Sequence, residues 1–325
     1  MIMPIRRLFT VIDSHTNGHP TRTVTAGIPP LRGQTVREQR DDFRDNHDGL
    51  RTLLLHEPRG HAAMPAAVPV PSRQADQGLF FIFSYYYADM CGHATIGYIA
   101  SLAAMGALPE SFEQNGMTIE TPAGVIHVTG AFEAGRLTSV ALRNVPSYVL
   151  STDVAIQVEG LGTVTCDVAY SGLTYALVDA DQVDLPFDIA QASLWCRAGM
   201  AIKAAMNATG AHPKVDSVLF HRPVQGGARH LVILANNKFD RSPCGTGTSA
   251  RLAQLHARGA LATGTPYRAE NLLGVPFEGK VVELTQDKDG RPAIIPEVRG
   301  MAHITAFSTL VLEADDPLPA GFLPG

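Results

Sequence analysis

Two short stretches of this chain repeat each other. Cys91-Gly92-His93-Ala94-Thr95 and Cys244-Gly245-Thr246-Gly247-Thr248 agree at the cysteine, the first glycine and the last threonine. Each follows an apolar strand and a short polar loop, and each opens a helical pattern. A second pair falls in the same register: an apolar strand ending near Asp13 precedes Cys91 by 78 positions, and the strand holding Asp167 precedes Cys244 by 77. Two matches in register describe a duplicated unit, so the chain is expected to form two similar halves related by an approximate two-fold, with a cleft between them. The junction is expected near the loop Phe132-Glu133-Ala134-Gly135-Arg136. Residues 1–133 would form the first half, with 300–325 packing back on it, and 134–299 the second.

At 325 residues the chain is long enough for two such units to bury their own cores. A hydrophobic content of 45 % with 18 % charged residues is that of ordinary folded domains, and 30 glycines with 22 prolines indicate many turns. The net charge of −5, without a basic block, argues against a nucleic-acid partner. The apolar run near the N-terminus is broken by Thr10 and Asp13, too early for a secretory signal, and no apolar stretch approaches the roughly 18 residues that span a bilayer. A cytoplasmic protein without a membrane partner is expected. Four cysteines without a C-x-x-C pair argue against a disulfide framework and a structural zinc site.

Apolar runs bounded by Gly, Pro and Asn read as strands at Leu8–Ile12, Thr23–Thr25, Leu53–Leu55, Leu79–Phe83, Val125–Thr129, Ser139–Leu142, Val164–Val168, Tyr175–Val178, Val218–Phe220, Leu231–Leu234, Val281–Leu284 and Thr309–Leu312. Helical period is found at Ala94–Met105, Ile189–Thr209 and Thr248–Arg258, the last closed by Gly259. This balance is a strand-rich α+β class, unlike the regular alternation of a doubly wound sheet.

The repeated cysteines stand where chemistry is favoured. The first N–H groups of a helix have no intrahelical partner and carry partial positive charge, so a helix start favours anions. The anion can be the thiolate itself, whose pKa would fall from about 8.5 toward neutrality. It can also be a carboxylate held by the amides of Gly92 and His93, or of Gly245 and Thr246, with glycine admitting close approach. Two such ends aimed at one small anion suit inversion of a stereocentre beside a carboxylate: one thiolate removes the Cα proton and the facing thiol delivers another to the opposite face, without a cofactor. The amides would stabilise the negative charge that develops. Asp240, four residues before Cys244, is placed to accept from a substrate ammonium, or else to anchor its loop. His93 is placed to hold the carboxylate or tune Cys91.

MCGHATIG (90–97) and DRSPCGTGTSARLA (240–253) resemble the two signature segments of the proline racemase family, which includes 4-hydroxyproline 2-epimerases. Further similarity runs through IDSHTNGHPTR (12–22), EPRGH (57–61), TPAG (121–124), RNVPSY (143–148), IIPEVRGMAHIT (294–305) and DDPLPAGF (315–322). The resemblance implies a fold shared with diaminopimelate epimerase, in which each half is a mixed sheet or barrel around a central helix. It implies Cys91 and Cys244 as the acid/base pair, Gly92, His93, Asp240, Gly245 and Thr246 as substrate contacts, and no cofactor or metal. The substrate would be 4-hydroxyproline or proline, and a homodimer is one candidate assembly. The chain departs from the pattern at Ser171-Gly172-Leu173, where Gly-Gly-Asn is usual, at His303, where an aromatic residue is usual, and at Ser217, where epimerases often carry histidine, with His221 nearby. The dehydratase relatives, acting on trans-3-hydroxyproline, lack one cysteine of the pair. A dehydratase on the same scaffold and a non-catalytic small-anion binder are the alternatives.

Cys166 and Cys196 read as buried small hydrophobes. Gly245–Ala250 also satisfies G-x-G-x-x-A with Glu270 further on, but a polar loop containing Pro243 separates it from the strand Leu231–Leu234, whereas a dinucleotide fingerprint needs a tight turn directly off the strand. His15 and His19 have i, i+4 spacing, but Asn17-Gly18 and Pro20 deny the helix that would turn this into a metal pair.

Overall fold

In the computed structural model, which describes residues 5–234 and 238–324, the elements in chain order are β1 (Ile5–Thr16), β2 (His19–Ala26), α1 (Val36–Leu55), β3 (Ala66–Val70), β4 (Gln77–Ile82), β5 (Tyr87–Ala88), α2 (Gly92–Ala104), α3 (Phe112–Asn115), β6 (Met117–Thr121), β7 (Gly124–Glu133), β8 (Arg136–Arg143), β9 (Tyr148–Val158), β10 (Gly162–Tyr170), β11 (Thr174–Asp179), α4 (Ala192–Ala208), β12 (Ser217–Val224), β13 (Gly227–Ile233), β14 (Phe239–Asp240), α5 (Gly245–Ala257), β15 (Tyr267–Glu270), β16 (Pro276–Gln286), β17 (Pro292–Gly300) and β18 (Ala302–Glu313). Contacts divide the chain into one unit of Met1–Val140 with Met301–Gly325 and another of Ala141–Gly300. The polar loop expected after Leu234 falls partly on 235–237, outside the described residues.

In the first unit β1 is flanked by antiparallel β18 and β2. The sheet continues through parallel β2–β3, antiparallel β3–β4, and β4 pairing antiparallel with β5 and parallel with β6, which pairs antiparallel with β7. In the second unit β10 is flanked by antiparallel β9 and β11. Parallel β11–β12 and antiparallel β12–β13 follow, and β13 pairs antiparallel with β14 and parallel with β15, which pairs antiparallel with β16. The order of pairings is the same in both units. Parallel neighbours need a crossover, which α1 supplies between β2 and β3 and α4 between β11 and β12.

The alternation of β1 shows how each sheet serves two layers. Phe9 and Val11 join the core that includes Phe43, Leu54 and Phe80, each such side chain contributing about 2 to 3 kcal/mol by leaving water. Ser14 and Thr16 take the other parity and meet α2. A Cβ on Gly97 would stand 3.0 Å from Ser14 Oγ, so glycine sets how closely this helix lies on β1 and β2. Helix α2 is buried from Gly92 through Leu102, as a helix enclosed on all sides must be. Its serine is satisfied inside that layer: Ser101 Oγ donates to Gly97 O at 2.8 Å and lies 3.1 Å from Thr23 Oγ1. Helix α5 is likewise buried from Gly245 through Ala250.

The strand expected at Leu53–Leu55 is instead the last turn of α1. Its local apolar run is short, but Val36, Phe43, Leu50, Leu53 and Leu54 fall on one buried face, and a capping box at Thr35 and Glu38 starts the helix. Tertiary burial decided between two readings of three leucines. The helix expected from Ile189 begins as a 3-10 turn over Ile189–Gln191 before α4. Cys166 and Cys196 belong to one core cluster with Trp195, Ile202 and Phe220. The G-x-G-x-x-A string is the first turn of α5, with β14 and a loop between it and β13.

Candidate active site

Cys91 is the N-cap of α2, with extended backbone at φ −149° and ψ 101°. Its carbonyl accepts from the amide of Thr95 at 3.0 Å and the hydroxyl of Thr95 at 2.9 Å, so the start of the helix is tied down while the thiol is left to the side. Its Sγ lies 3.5 Å from Nδ1 and 3.7 Å from Nε2 of His93. Thr16 Oγ1 donates to the carbonyl of His93 at 2.8 Å, and the His19 ring meets that of His93 edge-on with centroids 4.4 Å apart. Gly92 is the first residue of α2, and Cys91, Gly92 and His93 are all buried. The first unit therefore brings its three expected site residues into one group.

Cys244 is the N-cap of α5 and has a left-handed backbone, φ 65° and ψ 109°, rare for a side chain with a Cβ. The amide of Gly247 donates to its Sγ at 3.3 Å. The Tyr175 hydroxyl is 3.5 Å from the same sulfur and 2.6 Å from Thr246 Oγ1, which itself lies 3.6 Å from Sγ. Ser171 Oγ donates to Thr246 O at 2.7 Å, and Asn144 Nδ2 donates to Ser171 O at 3.0 Å. Asp240 ends β14, where Oδ1 accepts from the amide and hydroxyl of Ser242, both at 2.8 Å, and Ser242 Oγ accepts from Cys244 N at 3.1 Å. Gly245 is the buried first residue of α5. The second unit thus groups Asp240, Cys244, Gly245 and Thr246, and the anchoring role weighed for Asp240 is one its Oδ1 performs.

The acidity of Cys244 differs from the expectation. Burial pushes the thiol up to about 12, the Asp240 carboxylate adds to the rise, and the donors Tyr175, Gly247 N–H and Thr246 only partly offset it. A helix start lowers a thiol pKa where water or cations reach it; here the loss of hydration outweighs the amides. At neutral pH the Cys244 side chain is therefore a protonated thiol.

Tyr175 and Ser171 were not read from the sequence as site residues. Tyr175 is spelled as one apolar residue of a buried strand, and nothing in that run announces that its hydroxyl reaches a helix start 69 positions away. Ser171 stands out in the sequence only as a departure from the family pattern. Ser217 is buried on β12 and pairs in register with Tyr175. His221 is buried on the same strand, with its pKa depressed to about 3 by burial and by nearby Arg251. His15 and His19 sit on the β1–β2 hairpin, and among the described residues no group of three or more His, Cys, Asp or Glu is arranged to hold a metal. No helix among the described residues is long and apolar enough to cross a membrane.

Each unit thus carries a mixed sheet and a buried helix that starts at a cysteine. The proline racemase family model matches residues 11–323, and the chain belongs to that family. It is 39 % identical over 333 residues to a 4-hydroxyproline 2-epimerase of Streptosporangium roseum, spanning 99 % of this chain and all of that one. It is 35 % identical to a proline racemase of Clostridioides difficile, over 99 % of both chains. Among solved structures, a hydroxyproline epimerase from Agrobacterium vitis with bound trans-4-OH-L-proline superposes with a TM-score of 0.90 at 30 % identity, covering 98 % of this chain and 96 % of that one. The protein is an enzyme of the racemase and epimerase class.

Proposed function

We propose that the protein interconverts epimers at Cα of 4-hydroxyproline, with proline as the second candidate substrate, using Cys91 and Cys244 as a two-thiol acid/base pair without a cofactor. The reading takes the two units as pseudo-symmetric halves whose helix starts face one substrate across a cleft. The observation that carries it is the recurrence of a buried cysteine at the N-cap of a buried helix in both units. The identity to the Streptosporangium epimerase supports 4-hydroxyproline ahead of proline.

In the direction served by the resting state of Cys244, Cys91 as thiolate takes the Cα proton, and the thiol of Cys244 delivers its proton to the opposite face. Cys91 then holds the proton and Cys244 the negative charge, so the roles are exchanged for the reverse reaction. The substrate carboxylate would lie on the amides of Gly92 and His93 and of Gly245 and Thr246, which stabilise charge as Cα is deprotonated. Asp240 would accept from the ring ammonium through its carboxylate. A trans-3-hydroxy-L-proline dehydratase of Burkholderia ambifaria is also 35 % identical to this chain. Retention of both cysteines favours epimerisation over that elimination.

Incubation with each proline isomer in deuterated water tests the reading. An epimerase returns inverted substrate carrying deuterium at Cα; release of a keto or imine product would identify a dehydratase, and neither change would leave an anion binder.

A further inference from the structure

We propose that His230 and Tyr267 are positioning residues for Cys244, acting on it through the carbonyl of Pro243. The proposal rests on Cys244 being an acid/base thiol, as argued above. Its starting point is backbone geometry: the left-handed φ of 65° at Cys244 belongs to a conformation that a residue with a Cβ adopts only when its surroundings hold it there. That angle is set by the orientation of the peptide joining Pro243 to Cys244, and both polar ends of this peptide are held. On one end Cys244 N donates to Ser242 Oγ at 3.1 Å. On the other, Pro243 O meets Nδ1 of His230 at 3.3 Å, with Thr248 Oγ1 a longer donor at 3.4 Å.

His230 lies on β13, 1 % exposed, and both ring nitrogens have partners. A carbonyl can only accept, so Nδ1 carries the hydrogen; Nε2 is then the acceptor, and the Tyr267 hydroxyl, 3.0 Å away on β15, donates to it. The Pro243 carbonyl thus selects the tautomer, and the Tyr267 hydroxyl secures it by donating to the nitrogen left as acceptor. Burial and nearby Arg251 hold the imidazole neutral, with a pKa depressed to about 3, so this arrangement does not change across the neutral range. Arg251 in the second turn of α5 reaches the Tyr267 hydroxyl. The chain Arg251, Tyr267, His230, Pro243 thus runs from the body of α5 through two strands back to the cap of the same helix. Cys91, with its extended backbone, has no left-handed peptide to hold.

The test compares His230→Leu, which removes donor and acceptor, with His230→Asn, whose amide nitrogen can replace Nδ1 as donor to Pro243. Displacing a reacting group by about 1 Å costs roughly 10²-fold in rate, so His230→Leu is expected to lose kcat by about that factor with KM little changed, and His230→Asn to recover most of it. A merely structural role would make kcat follow the thermal midpoint; the proposal expects the midpoint to fall in both variants and kcat in only one. Tyr267→Phe is the milder variant should His230→Leu not fold, and a partial loss of kcat is expected. Equal losses in Leu and Asn, or full kcat in folded His230→Leu or Tyr267→Phe, would overturn the proposal. A readout that needs no turnover separates it from the functional reading: in a Cys91→Ala background, the iodoacetamide rate at Cys244 should rise severalfold on adding His230→Leu. An unchanged rate would overturn the positioning role, whereas a wild type without Cα exchange but with that rise would overturn the assigned reaction alone.

Discussion

The Tyr175 hydroxyl bridges Thr246 Oγ1 at 2.6 Å and Cys244 Sγ at 3.5 Å, so strand β11 places a hydroxyl beside the thiol at the start of α5. A hydrogen bond to a charged group contributes about 1.5 to 3 kcal/mol, and the thiolate of Cys244 is the charged form that Tyr175 stabilises. Tyr175→Phe is therefore expected to lower kcat/KM about tenfold. The loss should be equal from either epimer, because their equilibrium constant does not depend on the enzyme. Initial rates measured from both epimers check this; a loss in one direction's kcat/KM alone would signal an assay artefact, and no loss would remove Tyr175 from the site.

Replacing either thiol should stop the reaction while sparing the fold. Cys91→Ser and Cys244→Ser each exchange sulfur for a much weaker acid at nearly constant shape, and turnover should fall by about 10³-fold or more. Chiral chromatography of the product with circular dichroism of the variant measures both quantities. Wild-type rates in either variant would remove the two-base assignment.

Stability should decline on both sides of a neutral window. His221 and His230 are depressed to about 3 when folded, so below about pH 6.5 the unfolded chain binds more protons and stability falls as pH drops. Cys166 and Cys244 are raised to about 12, so above about pH 9 the folded chain holds protons the unfolded chain has lost, and stability falls as pH rises toward 12. Each thiol adds about 1.4 kcal/mol per pH unit to that alkaline slope. Urea midpoints between pH 5 and pH 11 should peak between about pH 7 and 8.5, and Cys166→Ala should make the alkaline limb shallower.

Asp167 is buried on β10 and would be pushed up by that burial, but Arg258, Gln254 and the amide of Asp153 outweigh it and hold the carboxylate low. Arg258 caps α5 and reaches Asp167 through two hydrogen bonds, at 2.8 and 2.7 Å. Removing one member of a buried pair costs about 3 to 5 kcal/mol, and the 39 % exposure of Arg258 reduces that to about 2 kcal/mol for Arg258→Ala. Chemical denaturation measures the cost, and a change under about 0.5 kcal/mol would mean that Gln254 and Asp153 suffice.

What the amino-acid sequence determined by itself is local or repeated: the helix starts at Cys91 and Cys244, the buried strands that precede them, and a family signature long enough to name the chemistry. Glycine after each cysteine and the small residues of α2 and α5 are local requirements, so they are spelled in order along the chain. Helix α1 shows the limit, since the run Leu53–Leu55 reads as a strand by itself and only the burial of Val36, Phe43, Leu50, Leu53 and Leu54 on one face reveals the helix. Only the tertiary structure decided which hydroxyls and rings surround the thiols. Tyr175, His230 and Tyr267 come from separate strands and Ser171 from the turn between β10 and β11, and whether each reaches the start of α5 depends on how those strands pair. It also decided the acidity of Cys244: a helix start argues for a thiolate, burial argues against one, and the weight of burial is a property of everything packed around the sulfur.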